Sequence, residues 1–241
     1  MNETSRLMNR LKDLRRQKSS LEIVGMGLDK ISVFLQYPFQ KSRFGSKSFQ
    51  MGGKAYPYFV HPYNATWRNE RGVEIALMAD FLKKNAGKHM LEIGNVATYY
   101  GFDDHQVIDK YEVHPRAQNI DIMDFQPEKP FDALFAISTF EHVGWDESPK
   151  QPEKIKSALE RLIQLVAHPD QVLITLPLGY NDYLDQMVAD KTMPFQQEYF
   201  LKRTSKQNDW EECDRQEALR YPYGSSYPAA NTLLVAYGLK A

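Results

Sequence analysis

The stretch HMLEIGNVATYYG, residues 89–101, decides the fold. Residues 89–94 place Met90, Leu91 and Ile93 before a glycine, which is typical of a short strand that ends in a turn. Gly94 allows the backbone to turn sharply and to approach a ligand closely. The amides that follow it are expected to bind an anionic group near the start of a helix. The stretch therefore predicts a strand, a tight turn and a ligand-binding crossover.

Around this stretch the chain alternates between short strands and helices. Helices are predicted over residues 68–85 and 155–166, where apolar residues recur at intervals of three and four. Strands are predicted over residues 89–94, 106–111, 118–122, 131–138, 171–176, 199–203 and 232–238. The alternation predicts an α/β fold with a doubly wound, mostly parallel sheet covered on both faces. No clear helix separates the last two strands, which predicts an antiparallel hairpin at a sheet edge.

Composition excludes several classes of protein. The chain has 241 residues and 25% charged residues, which is typical of one large globular unit. Its net charge of −1 argues against a chain-wide basic surface for nucleic acid. The single cysteine, Cys213, excludes an intramolecular disulfide and a thiolate-rich zinc site. The first residues lack the uninterrupted apolar core of a signal peptide, so a reducing cytoplasmic setting is expected.

Residues 1–67 are expected to form an N-terminal extension, and residues 68–241 the main domain. Within the extension, Leu7, Leu11 and Leu14 place an apolar face on a basic helix over residues 5–18. That helix either makes weak contact with an anionic membrane surface or a partner, or is a solvated terminal helix. Further on, Gly52 and Gly53 lie between aromatic-rich segments and predict a hairpin.

Polar residues follow the predicted strands, where open α/β sheets bind their ligands. The second strand ends in VIDKYE, which offers Asp109 or Glu112 to a pair of ribose hydroxyls. The third is followed by Asp121 and Asp124, either of which can accept a hydrogen bond from an adenine amino group. The fourth leads into Ser138, Thr139, Glu141 and His142.

The series LEIG, VID, NIDIMDF, FDALFAISTFEHV and VLITLP resembles the class I S-adenosylmethionine-dependent methyltransferase superfamily. It is most similar to the branch with Glu-His-Val after the fourth strand, which includes quinone-biosynthesis and sugar methyltransferases. The resemblance covers about residues 68–241 and implies a Rossmann-like, seven-stranded sheet whose last strand is antiparallel. It implies S-adenosylmethionine as cofactor and S-adenosylhomocysteine as product. The implied cofactor-binding residues are Glu92, Gly94, Asn95, Asp109, Asp121, Ile122 and Ser138.

The glycine loop departs from the family pattern, because Asn95 and Ala97 stand where further glycines are usual. Only about fifteen residues separate Gly94 from Asp109, which predicts a shortened first crossover helix. A dinucleotide fingerprint is also disfavoured, since Val96 occupies the place of its second glycine.

Methyl transfer to a hydroxyl oxygen needs a general base, and His142 has the suitable intrinsic pKa. Glu141, Asp146 or Glu147 is expected to orient it, and Glu141 and His142 are the candidate catalytic residues. The competing interpretation is structural, because Ser138-x-x-Glu141 matches a capping box at a helix start. No metal is expected, because Ser138 stands where metal-binding relatives carry a further carboxylate.

Two aromatic segments are candidates for the acceptor pocket. Residues 59–71 could form a lid, and the candidate substrate-binding residues there are His61, Tyr63, Asn64, Trp67 and Arg71. In residues 220–231 the candidate is Tyr223, whose ring could stack on an acceptor. Core packing and a plain turn are the competing interpretations of the two segments.

The sequence thus predicts a methyltransferase that acts on a small molecule or glycan precursor, with no nucleic-acid partner. The alternative is a non-catalytic S-adenosylmethionine-binding module for regulation or assembly. A nucleic-acid methyltransferase would need a basic groove, which residues 6–18 could supply in part.

Overall fold

The computed structural model describes residues 20–240. The strands are β1 (Ser48–Met51), β2 (Lys54–Pro57), β3 (Met90–Ile93), β4 (Gln106–Asp109), β5 (Ala117–Asn119), β6 (Ala133–Ile137), β7 (Val172–Pro177), β8 (Phe195–Arg203), β9 (Trp210–Cys213) and β10 (Thr232–Leu239). The α-helices are α1 (Ser20–Phe44), α2 (Arg71–Lys84), α3 (Lys154–Leu165), α4 (Asp182–Ala189) and α5 (Arg215–Ala218). Short 3₁₀ helices cover Tyr63–Arg68, Ala97–Tyr100 and Phe140–His142.

Eight strands form the main sheet, in the order β5-β4-β3-β6-β7-β10-β8-β9. The five strands from β5 to β7 are mutually parallel, and β10 runs antiparallel to both β7 and β8. The predicted α/β class with a mostly parallel sheet and an antiparallel last strand is confirmed. The sheet has one strand more than expected, because β9 pairs with β8 at the edge. The expected terminal hairpin is wrong in its position, since β10 lies inside the sheet between β7 and β8.

Both faces of the sheet are buried, each under its own apolar core. Successive side chains of a strand point to opposite faces. In β6, Leu134 and Ala136 accordingly belong to a core shared with α3 and α4, whereas Phe135 and Ile137 belong to one shared with α2. This arrangement explains why β6 and β7 are apolar runs rather than alternating sequences.

The predicted central helices are confirmed as α2 and α3, and the shortened first crossover as the single 3₁₀ turn Ala97–Tyr100. The local sequence patterns did not predict α1, α4, α5 or β9. Asn181 is the N-cap residue of α4. Its side chain accepts hydrogen bonds from the amides of Tyr183 and Leu184, as is common for asparagine at this position. The helix α1 has an apolar exterior, so its sequence lacks the polar face of an ordinary surface helix.

The described part of the N-terminal extension packs on the core beneath α2. The predicted Gly-Gly hairpin is confirmed as β1 and β2, in which Phe49 and Tyr56 stack. Val33 and Phe44 of α1 belong to the same core as Phe81 of α2. The basic helix over residues 5–18 lies outside the described residues, and the division at residue 67 stays a prediction. Within residues 20–240, no helix is long and apolar enough to cross a bilayer.

Candidate active site

A cleft of ≈ 550 Å³ lies beyond the carboxyl ends of β3, β4, β5 and β6. From β3 the chain builds the sheet outward to β4 and β5, then returns to β6 on the other side of β3. This reversal of strand order leaves the crevice in which open α/β sheets bind ligands. Most predicted site residues line it, namely Tyr63, Asn64, Arg71, Gly94, Asn95, Asp109, Asp121, Ile122, Ser138 and His142.

Gly94 makes the turn at the end of β3 with a φ of 83°. A Cβ atom there would lie 2.2 Å from Thr139 Oγ1, so only glycine fits both the backbone and the space. The Gly94 amide donates to the carbonyl of Ile108 at 2.8 Å, tying the turn to β4.

The amides after Gly94 are occupied by side chains of the protein. Asn95 N donates to Asp109 Oδ2 at 3.1 Å. The amides of Val96 and Ala97 donate to Glu92 Oε1 at 2.8 and 2.7 Å. The expectation that these amides bind an anionic ligand group is therefore wrong, because internal carboxylates already satisfy them.

Glu92 is fully buried and lies outside the residues that line the cleft. Its Oε2 pairs with His105 Nε2 at 2.8 Å, while Oε1 holds the loop amides. The resemblance implies that Glu92 binds the cofactor. In the structure its carboxylate holds the loop after Gly94 through the Val96 and Ala97 amides.

At the end of β4, Asp109 and Glu112 accept hydrogen bonds from different kinds of donor, Asp109 from backbone amides and Glu112 from side chains. Asp109 Oδ1 accepts from the amides of Tyr111 and Glu112 at 2.8 and 2.7 Å. Both oxygens of Asp109 therefore organise loops. Glu112 Oε1 accepts from Asn95 Nδ2 at 2.9 Å and from the Tyr99 hydroxyl. Both predicted ribose partners line the cleft, and the choice between them stays a prediction.

Asp121 lies in an ion-pair cluster on the rim of the cleft. Its Oδ2 contacts Lys154 Nζ at 2.8 Å and Lys110 Nζ at 3.1 Å, and Glu147 bridges both lysines. Burial raises the pKa of Asp121, but hydrogen bonds from Lys154, from the Met123 amide and from Lys110 outweigh it and lower that pKa to about 2. Asp121 is thus an ionised carboxylate at neutral pH.

Behind the cleft lies a buried polar network centred on Glu74. Glu74 Oε1 accepts from Ser138 Oγ at 2.6 Å and from Thr175 Oγ1 at 2.7 Å, and Oε2 pairs with Arg71 Nη1 at 2.5 Å. The Ser138 hydroxyl therefore donates its hydrogen bond to Glu74. The predicted capping box is wrong, because the 3₁₀ turn Phe140–His142 has no side-chain cap.

Glu141 is 2% exposed and lies outside the cleft lining. Burial, together with the nearby charge of Glu74, raises its pKa well above the usual range. Its Oε2 has no hydrogen-bond partner among the described residues. The main chain of Glu141 is fixed by Asn181 Nδ2, which donates to its carbonyl at 2.8 Å.

His142 lines the cleft and has an identifiable orienting carboxylate. Of the three predicted partners, Asp146 makes the short contact, with Oδ2 at 2.6 Å from His142 Nδ1. Tyr180 donates its hydroxyl to the same oxygen at 2.8 Å. Burial and this hydrogen bond raise the pKa of Tyr180 to about 12, so its hydroxyl remains a donor. Glu141 Oε1 lies 3.5 Å from His142 Nε2.

The predicted acceptor residues divide into two groups. Tyr63, Asn64 and Arg71 line the cleft, and the ring of Tyr63 stacks on Tyr99 with centroids 4.7 Å apart. His61, Trp67 and Tyr223 do not line it.

These three side chains have other surroundings. His61 packs edge-on against Tyr100, and Trp67 is buried with its ring stacked on Tyr37. Tyr223 contacts Tyr180, which in turn contacts His142, so it lies one ring away from the cleft.

Sequence reasoning missed Tyr180, Lys110 and Lys154 as parts of the site. Lys154 comes from the first turn of α3, so it belongs to no strand-end motif. Tyr180 follows β7 by three residues and Lys110 directly follows Asp109, and these positions after strands were the available signals. Across residues 20–240 the side chains form no cluster of three or more His, Cys, Asp or Glu suited to a metal ion.

No protein-family model and no curated protein sequence matches the chain. Among solved structures it is similar to the N-methyltransferase NodS from Bradyrhizobium japonicum in complex with S-adenosyl-L-homocysteine. That match has 14% identity and a TM-score of 0.43, over 70% of this chain and 87% of NodS.

Other similar structures include the plantazolicin methyltransferase BpumL, with 13% identity, a TM-score of 0.38 and coverage of 68% of this chain and 82% of BpumL. An rRNA methylase from Escherichia coli matches with 12% identity, a TM-score of 0.37 and coverage of 70% and 65%. Because these TM-scores are below 0.5, the function is inferred from the residues of the cleft and not from the similar structures.

Proposed function

We propose that the protein is an S-adenosylmethionine-dependent methyltransferase that methylates an oxygen atom of a small molecule or glycan precursor in the cytoplasm. The observation that carries this proposal is the pattern of donors and acceptors around the glycine turn. The amides of residues 94–97 all donate within the protein, which leaves none of them for a pyrophosphate. The carboxylate of Glu112 lines the cleft beside this turn instead, and its Oε2 offers an acceptor to a ligand with hydroxyl groups.

The residues present fit S-adenosylmethionine. The cleft volume of ≈ 550 Å³ lies within the range of small-molecule sites. Glu112 Oε2 accepts hydrogen bonds from the ribose hydroxyls, and the adenine ring binds beside Asp121 and Ile122. Arg71, already paired with Glu74 through one nitrogen, has further donors for a carboxylate. When bound, S-adenosylmethionine supplies an activated methyl group, so the protein needs chiefly to orient the acceptor and exclude water.

His142 is the proposed general base. Asp146 holds the proton on Nδ1, which leaves Nε2 as the basic nitrogen. Tyr180 donates to the same Asp146 oxygen and helps to hold that carboxylate in place. The exposed ring of Tyr63, which lines the cleft, gives the acceptor an apolar face against which to pack. Burial raises the pKa of Glu141, whose Oε1 lies 3.5 Å from His142 Nε2.

Calorimetric titration with S-adenosylmethionine tests the cofactor. We expect saturable binding to the wild type and a loss of about tenfold or more in affinity for Glu112→Gln, because an amide offers a ribose hydroxyl pair a weaker acceptor. An absence of heat at millimolar concentrations of cofactor would refute the proposal.

Transfer of radiolabelled methyl groups to fractionated small molecules and glycans tests the chemistry. His142→Ala should lower turnover at saturating cofactor by about 10²–10⁴-fold. The exposed histidine His168 provides the matched control, His168→Ala, whose turnover should equal the wild type. Cofactor binding without transfer to any fraction would instead favour the non-catalytic binding module.

A further inference from the structure

The outer face of α1 is strongly apolar although it faces solvent. Leu28, Ile31, Phe34, Leu35 and Phe39 are 59–76% exposed. At about 100° per residue, Leu28, Ile31, Leu35 and Phe39 fall within roughly 80° of one another. Soluble proteins seldom leave so many large apolar side chains together in water, and a contiguous patch of this kind marks a binding surface.

The opposite face of α1 is already fastened to the body of the protein. Val33 is buried in the core, and Tyr37 stacks on Trp67. Arg68 donates to Asp29 at 3.0 Å and to Gln36 at 3.3 Å. The helix is therefore docked by one face, and the apolar stripe is its unpartnered side among the described residues.

Cations flank the apolar stripe. A pocket of ≈ 220 Å³ beside it is lined by Arg43, Arg68 and Lys206, with Gln36, Gln40, Trp67 and Gln207. Two polar atoms of these lining residues, Gln40 Oε1 and Trp67 Nε1, are buried and lack hydrogen-bond partners among the described residues. Beyond the other margin of the stripe, Lys30 and Lys41 are exposed.

The N-terminal part of the sequence carries a net positive charge, and the rest carries a net negative charge. Residues 1–47 contain ten Lys and Arg against four Asp and Glu, a net charge of +6. The remaining residues contain 20 against 27, a net charge of −7. Residues 28–47, which carry the stripe, contain four Lys and Arg against one Asp, so a second copy docked on the same face would bring like charges together, whereas an anionic surface would be attracted to it.

We propose that α1 docks the protein on an anionic phospholipid membrane surface. The stripe Leu28, Ile31, Leu35 and Phe39 inserts among the acyl chains near the headgroups, and the Arg43, Arg68 and Lys206 pocket receives a lipid phosphate. A helix with a cationic border and an exposed apolar face lies in the plane of the membrane rather than crossing it.

One short segment connects the docked helix to the cleft. The six-residue segment Tyr63–Arg68 contacts α1 through Trp67 and Arg68, and its first residues, Tyr63 and Asn64, line the cleft. The proposal extends the proposed function to acceptors held at a membrane surface, although docking itself does not depend on methyl transfer.

The test is co-sedimentation of the full chain with vesicles. One set is phosphatidylcholine alone and the other contains about one part in three of phosphatidylglycerol. We expect binding to the anionic vesicles that weakens as salt is added. The double variant Leu35→Ser/Phe39→Ser should lower the partition constant at least about tenfold, because it removes two apolar side chains from the inserted face. Arg43→Gln/Lys206→Gln should lower binding to anionic vesicles and flatten its salt dependence.

The matched control is Val113→Ser, since Val113 is 89% exposed and lies far along the chain from α1. It should bind vesicles as the wild type does, and thermal melting should show that all variants are folded. Failure of the wild type to sediment with anionic vesicles overturns the proposal, as does equal binding by Leu35→Ser/Phe39→Ser.

A dimer that the same double variant disperses, without vesicle binding, would assign the stripe to a second copy instead. Titration of the double variant with S-adenosylmethionine separates the two proposals, because the cleft residues are unchanged in it.

Discussion

Replacing Gly94 with alanine tests how the turn at the end of β3 is built. The new Cβ would lie 2.2 Å from Thr139 Oγ1 and 2.7 Å from Thr139 Cγ2, on a backbone with a φ of +83°. The left-handed conformation costs a non-glycine residue about 1–2 kcal/mol, and forcing an added methyl into a packed site costs about 1–3 kcal/mol more. We therefore expect Gly94→Ala to lower the free energy of unfolding by about 2–5 kcal/mol.

Gly101 provides a matched control, because it has the same φ of +83° and no atom within 4 Å of the place that an added Cβ would take. Gly101→Ala should cost only the backbone penalty, about 1–2 kcal/mol. Adding Thr139→Ala should rescue most of the remaining loss in Gly94→Ala, since it removes the two nearest atoms. The coupling energy between positions 94 and 139 should be about 1–3 kcal/mol.

Denaturant unfolding of the single and double variants measures these energies, and calorimetric titration with S-adenosylmethionine measures the consequence for the cleft. Gly94→Ala should weaken binding more than Gly101→Ala, because Asn95 and Glu112 follow the displaced turn. Equal stabilities of the two alanine variants, or no coupling to Thr139, would refute the reasoning.

Three further predictions concern buried polar groups. Burial raises the pKa of Asp185 to about 6, so its carboxyl favours folding below pH 4, and that contribution is lost as pH rises to 6. In denaturant melts between pH 4 and 7, the wild type should lose about 2 kcal/mol relative to Asp185→Asn; parallel pH profiles would contradict this. Asn181→Ala removes the cap of α4 and the hydrogen bond to the Glu141 carbonyl, which should lower unfolding free energy by about 2 kcal/mol. Glu74→Gln leaves Arg71 without its carboxylate and should cost about 3–5 kcal/mol in the same assay, whereas an unchanged melting temperature would show that the pair contributes nothing.

Local sequence patterns were sufficient for the parallel part of the sheet. The apolar runs of β6 and β7 and the periodicity of α3 reflect burial of whole elements, which each element expresses in its own residues. The carboxyl ends of parallel strands lie at one edge, so Gly94, Asp109, Asp121 and Ser138 were placed at a common cleft without knowledge of their contacts. The roles of these residues as ligands stay predictions.

Tertiary structure decided which polar residues of the site form hydrogen bonds within the protein. Sequence order cannot tell that Glu92 and Asp109 turn their oxygens inward to the amides of residues 95–97, because the choice between internal and ligand partners depends on three-dimensional proximity. Nor does it show that Glu74 takes the Ser138 hydroxyl across 64 positions of the chain.

By itself, then, the sequence determined the α/β class, the central strands and the edge at which the cleft lies, since periodicity and strand ends are local properties. Tertiary structure alone decided that β10 enters the sheet between β7 and β8, that Asp146 and Tyr180 hold His142, and that α1 leaves an apolar stripe in solvent. The physical reason is that strand pairing, hydrogen-bond partners and exposure depend on which distant segments meet, and their energies appear only when those segments are packed together.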